Sequence, residues 1–168
     1  MIYSFFELLK DFQAAIVGII GFAGVIFTLM GNAWLARKQH KYEQTERRRV
    51  IEVGMYEEFR LFLRSLKATL ENPVSKNHKI VAIPRLLPLV AERLIQDLGL
   101  LEDKKAQAAL NGVMTLKYLE IRLVVLALDV NDHYLTFDYE SYEFALEEYE
   151  KALHILQETV TTLELEHE

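Results

Sequence analysis

The sequence predicts an all-α membrane protein, with one N-terminal transmembrane helix continuing into a cytoplasmic antiparallel helical bundle of about four helices. Three observations carry this reading. Phe12 to Ala36 is a run of twenty-five residues without a formal charge. Seven Gly and three Pro are spread thinly over 168 residues, leaving few places to interrupt a helix. Beyond the uncharged run, apolar residues recur at steps of three and four, the period of a helix with one buried face.

At about 1.5 Å per residue the uncharged run exceeds the roughly 30 Å hydrocarbon core of a bilayer. Ile16, Val17, Ile19, Ile20, Phe22, Val25, Ile26, Phe27, Leu29 and Met30 supply its apolar density. A buried core helix rarely stays uncharged on every face for so long. A cleaved export signal carries its positive charge ahead of a shorter apolar run, and here the order is reversed. Arg37, Lys38, Lys41, Arg47, Arg48 and Arg49 follow the span, whereas Lys10 alone precedes it, beside Glu7 and Asp11. By the positive-inside rule this sets the carboxyl side in the cytoplasm, with the amino end outside. Tyr3, Phe5 and Phe6 suit the outer interface, or simply extend the helix. Gly21, Gly24, Thr28 and Gly31 share one face, with Ala14 and Gly18 on a related one, so another span can approach closely there.

Three regions follow: residues 1–36 as outer segment and span, 37–49 as a basic helical stalk, and 50–168 as the cytoplasmic domain. The stalk RKQHKYEQTERRR is polar on every face, yet it continues a helix already nucleated in the membrane. Arg37, Lys38 and Lys41 are its lipid-facing residues, each gaining about 1 kcal/mol from anionic headgroups; a topology signal and nothing more is the plainer alternative. The net charge of -6 argues against a nucleic-acid duplex as partner and hides a division along the chain. Six basic and two acidic residues occupy Arg37 to Arg49, while nine glutamates face Lys151 alone from Tyr139 onward. With no cysteine in the chain, disulfides and thiolate chemistry are excluded.

Within the domain, Ile51, Met55, Phe59, Phe62, Leu66 and Leu70 mark a helix that Asn72 and Pro73 stop. A second helix from about Pro84 or Pro88 to Leu98 turns Leu87, Val90, Ala91, Leu94 and Leu98 inward. Gly99 is its expected left-handed cap, with Leu100 packing back on Ile95. The third helix, about Glu102 to Asp129, is expected to bury Leu110, Met114, Tyr118, Ile121, Val125 and Leu128. Leu123 to Leu128 is apolar all round, which implies a central place in the bundle or a subunit contact. In the fourth helix, capped by Asp138, the residues Tyr142, Leu146, Tyr149, Leu153, Leu156, Val160 and Leu163 alternate steps of four and three, the seam of a bundle or coiled coil. Glu143, Glu147, Glu150, Glu158 and Glu164 lie off that seam.

Chemistry has few candidates. His40, His78, His133, His154 and His167 have no partner at metal-ligand spacing, and there is neither a nucleophile elbow nor a phosphate loop, so no catalytic residue, metal or cofactor is assigned. Asp129, Asn131, His133 and Glu140 fall at calcium-loop spacing, but Tyr134 stands where that loop needs glycine. Lys76, His78, Lys79 and Arg85 form the one compact basic cluster away from the stalk. They are candidates for an anionic ligand, against the plainer reading of a solvated loop.

The arrangement of GNAWLARKQH at the end of the span, ERRRVIEVGMYEEF after it and RLIQDLGLLEDKKAQAALNGVM in the middle resembles a broad group of small bacterial single-pass inner-membrane proteins with helical cytoplasmic domains. In architecture the chain is also similar to membrane-anchored effectors of nucleotide-signalled antiviral systems. That second resemblance implies an oligomer whose spans permeabilise the membrane when the domain senses a nucleotide. The expected function is therefore that of a non-enzymatic membrane protein whose domain assembles with itself or with a protein partner, with the antiviral effector as the alternative.

Overall fold

The computed structural model describes the backbone of residues 2–164, and the side chains of Lys10, Phe12, Gln13 and residues 17–164. Ala14 and Ile16, named above on the span, lie outside the described side chains, as do the residues of the outer segment before Lys10. Helix α1 runs over Ile2–Glu71 and ends immediately before Asn72 and Pro73. The chain divides into two compact units, Met1–Glu46 and Arg47–Glu168, and each is described by itself.

In the first unit α1 is the sole element. Its apolar side chains are solvent-facing from Val17 to Leu35, with Phe27 at 74% and Ile19 at 69% exposure. The helix is long and apolar enough to cross a membrane, with a mean hydropathy of 1.8 over its best window and none of that window buried.

The second unit contains the rest of α1, then β1 (Ile80–Pro84), α2 (Leu89–Leu94) and a 3-10 segment (Ile95–Leu100). α3 (Asp103–Leu126), β2 (Asp129–Val130), β3 (Tyr134–Asp138) and α4 (Tyr139–Leu163) follow. Helix therefore dominates, and a three-stranded antiparallel sheet in the order β1-β3-β2 joins it. These strands are short and fall between the predicted helices or at their ends. Val81 pairs with Phe137 and Ile83 with Leu135, all four buried, so alternation of period two along both strands puts one face of the sheet into the core. Asn131 shapes the β2–β3 turn, its side-chain oxygen accepting from the backbone N–H groups of His133 (2.9 Å) and Tyr134 (2.7 Å).

The core gathers Ile51, Met55, Phe59 and Leu66 from α1 with the inner faces of the sheet, α3 and α4. Two helical expectations need correction. The second helix is one and a half turns of α2 followed by the 3-10 segment, and Gly99 sits inside that segment without a positive φ, so there is no left-handed cap. Leu101 closes the segment instead, donating its N–H to the Leu98 carbonyl at 2.9 Å. On α3 the expected core residues Leu110, Met114, Tyr118, Ile121 and Val125 are all exposed, as is Leu128 just past its end, and Ala109, Gly112, Val113, Leu116, Leu119 and Leu123 are buried in their place.

Candidate functional site

In the first unit, Gly21, Gly24, Thr28 and Gly31 lie along an open face. A Cβ added to Gly18, Gly21, Gly24 or Gly31 would meet nothing within 4 Å, and the Thr28 hydroxyl donates to the Gly24 carbonyl at 2.9 Å, which hides its polarity in the helix. Just past the span Lys38 Nζ lies 5.4 Å from the centroid of Trp34, an aromatic-cation pair suited to a membrane interface. Arg37, Lys38 and Lys41 are all exposed.

In the second unit the residues of the expected seam are all buried or half-buried on α4. Tyr149 and Leu156 are buried, but Leu146, Leu153 and Val160 are only half-buried along its flank. The central face reads Tyr142, Ala145, Tyr149, Ala152, Leu156, Thr159 and Leu163, so it keeps four residues of the seam and sets Ala145, Ala152 and Thr159 in the places of Leu146, Leu153 and Val160. Small residues sit at the centre of this face. Gly112 and Ala109 on α3 and Ala145, Ala152 and Thr159 on α4 let the two backbones draw together, and the larger side chains move to the margins. The Thr159 hydroxyl is absorbed by the Ile155 carbonyl at 2.9 Å and lies 3.3 Å from the Ala108 carbonyl. Burial raises the pKa of the Tyr149 phenol, with the Tyr142 phenol adding to the effect.

Outside this contact, Met114, Tyr118, Ala152 and Ile155 line an open groove between α3 and α4 of about 710 Å³, edged by Arg122, Glu148 and Lys151. Glu148, whose side chain is 9% exposed, accepts from Lys151 Nζ at 2.9 Å and lies 3.5 Å from Arg122. The Lys151 hydrogen bond, more than the charges nearby, holds the Glu148 carboxyl below the usual range. A second charged group ties α1 to the start of α3. Arg48 reaches Glu52 at 3.1 Å and Glu102 at 2.6 Å, and Lys105 lies 3.5 Å from Glu52.

Of the four candidate anion-binding residues, Lys76, His78 and Lys79 share the loop before β1, and Arg85 lies beyond the strand. Lys79 and Arg85 flank β1 at its two ends, about 20 Å apart at the rise of an extended strand. Lys76 faces Glu143 at 3.3 Å and lies 5.9 Å from the Tyr139 ring, while Arg85 pairs with Glu120 and donates to the Asn131 carbonyl at 3.2 Å. His78 and Lys79 make no ion pair among the described residues. The calcium-loop spacing is divided among β2, the hairpin turn and the first turn of α4, and no group of three metal-ligating side chains forms among the described residues.

The α3–α4 groove is the feature that sequence reasoning missed. The contact beneath it has a signal in the chain, because Ala109, Gly112, Ala145, Ala152 and Thr159 also recur at helical spacing, and of these Ala152 reaches the groove. Comparison with protein-family models, with curated proteins and with solved structures finds no match to this chain.

Proposed function

We propose that this chain is a non-enzymatic single-pass protein of the bacterial inner membrane whose helical domain assembles with itself or with a protein partner. The observation that carries the reading is the uncharged stretch of α1, long enough to span a bilayer, with none of its most apolar window buried, and followed by a basic segment. The charge bias supports an outward amino end and a cytoplasmic domain, with Arg37, Lys38 and Lys41 at the headgroups. The open glycine face supports close approach of a second span. The likeness to small bacterial single-pass proteins is part of the same proposal.

The effector reading requires an anion to draw Lys76 from Glu143 and Arg85 from Glu120, at opposite ends of a strand, and we prefer the first reading. Protease added to spheroplasts tests the proposal. The domain beyond Arg37 should survive intact and be cut only after lysis, and its removal from outside would overturn the topology. Recovery in the soluble fraction would overturn the membrane reading altogether.

A further inference from the structure

The apolar stripe of α3 that faces solvent has the spacing of a helix contact. Met114, Tyr118, Ile121 and Val125 follow one another at steps of four, three and four, with exposures of 59%, 60%, 62% and 74%. Leu110 at 42% extends it toward the start of α3, and Ile155 at 40% continues it across the groove onto α4. At about 100 Å² of exposed surface apiece these residues and their neighbours Val124 and Leu128 present roughly 800 Å² of apolar area. That exceeds the largest patch of an ordinary monomer and equals one side of a standard protein interface.

We propose that this face of α3, with the α3–α4 groove beside it, is a two-fold contact with a second copy of this chain. The inference rests on the self-assembling reading above and assigns it a surface. Charge favours this occupant. α3 carries exposed Lys104 together with Lys117 and Arg122, which within the same chain lie 3.1 Å from Glu92 and 3.5 Å from Glu148, whereas on the exterior of α4 the exposed Glu147, Glu150 and Glu158 outnumber its one lysine, Lys151. A two-fold axis close to Tyr118 sets α3 of one copy against α4 of the other, so that basic residues meet acidic ones twice. The same acidic α4 surface would be repelled by anionic headgroups, which disfavours the bilayer as the covering surface. Chains held in one membrane also meet at high effective concentration, so a contact of this size suffices.

The chain has no cysteine, so single cysteines report the contact without background. Full-length Tyr118→Cys and Leu61→Cys proteins are treated with a short bis-maleimide in native membranes; Leu61 is 60% exposed on α1 and serves as the comparison site. The proposal requires a cross-linked dimer at Tyr118→Cys, little at Leu61→Cys, and a loss of about tenfold or more when Val125→Asp is added, because that places an unpaired charge in an apolar contact. Circular dichroism of the Val125→Asp protein should match that of the parent, since the side chain is solvent-facing in the single chain. No dimer at Tyr118→Cys, equal dimer at Leu61→Cys, an adduct with a different protein, or indifference to Val125→Asp would each overturn it. Photobleaching steps of the labelled full-length chain separate the two levels. Several steps without a Tyr118 cross-link would overturn this surface alone, and single steps would overturn self-assembly with it.

Discussion

Gly112 on α3 faces the ring of Phe59 on α1 so closely that a methyl group at Gly112 would come within 2.9 Å of Phe59 Cζ and, on its other side, of Thr159 Cγ2. Three helices thus meet at the one residue without a side chain. Gly112→Ala should destabilise the domain, because overpacking of about 1–3 kcal/mol outweighs the roughly 1 kcal/mol that alanine gains in a helix. Gly99→Ala, where a Cβ would meet nothing within 4 Å, should be neutral or stabilising. Thermal unfolding of the two variants checks the pair, and a melt raised by Gly112→Ala would show that α3 and α4 have room to part.

Leu156 is fully buried between α3 and α4, and Leu153 is half-buried at the margin. Leu156→Ala should cost about 2–5 kcal/mol and Leu153→Ala clearly less, since the smaller loss of contact leaves a cavity open to solvent. Denaturant unfolding measures both. Equal costs would restore the seam that hydrophobic spacing alone suggests.

Glu58 on α1 performs the capping that Pro88 cannot. Its two carboxylate oxygens accept from the backbone N–H groups of Val90 (2.9 Å) and Ala91 (2.6 Å), holding the start of α2 against α1. Glu58→Ala should cost about 1–2 kcal/mol and speed hydrogen exchange at Val90 and Ala91 before the rest of the domain. Unchanged exchange there would mean that α2 is held by its apolar contacts alone.

Acid should weaken the domain through carboxylates whose pKa values lie lower folded than unfolded. Glu148 is held down chiefly by the Lys151 hydrogen bond, and Asp138 chiefly by the backbone N–H of Ser141, which it accepts at 2.7 Å as the cap of α4. Such groups contribute in full above their ordinary values of 4.5 and 3.8, and the contribution is lost as pH falls through the depressed folded values. Melting temperature should therefore drop below about pH 4.5, and Glu148→Gln should flatten the decline. A profile identical to that of the parent would exclude Glu148 as a contributor.

The sequence alone determined the elements whose signals are local. An uncharged run of twenty-five residues is incompatible with ordinary surface helices, whatever else the chain does. Pro73 ends α1, and the side chain of Asp138 starts α4, through contacts a few residues away. Tertiary structure decided which helix faces meet. Hydrophobic spacing ranks Leu110, Met114, Tyr118, Ile121 and Val125 as the core of α3, but burial also depends on how near two backbones come, and glycine, alanine and threonine permit the nearest approach. Gly112 and Thr159 accordingly meet at the centre of the contact, and the larger stripe of α3 is left outside. The sheet, with Arg85 set across β1 from Lys76, His78 and Lys79, followed in the same way, since pairing of Val81 with Phe137 joins segments fifty-six positions apart that no local pattern relates.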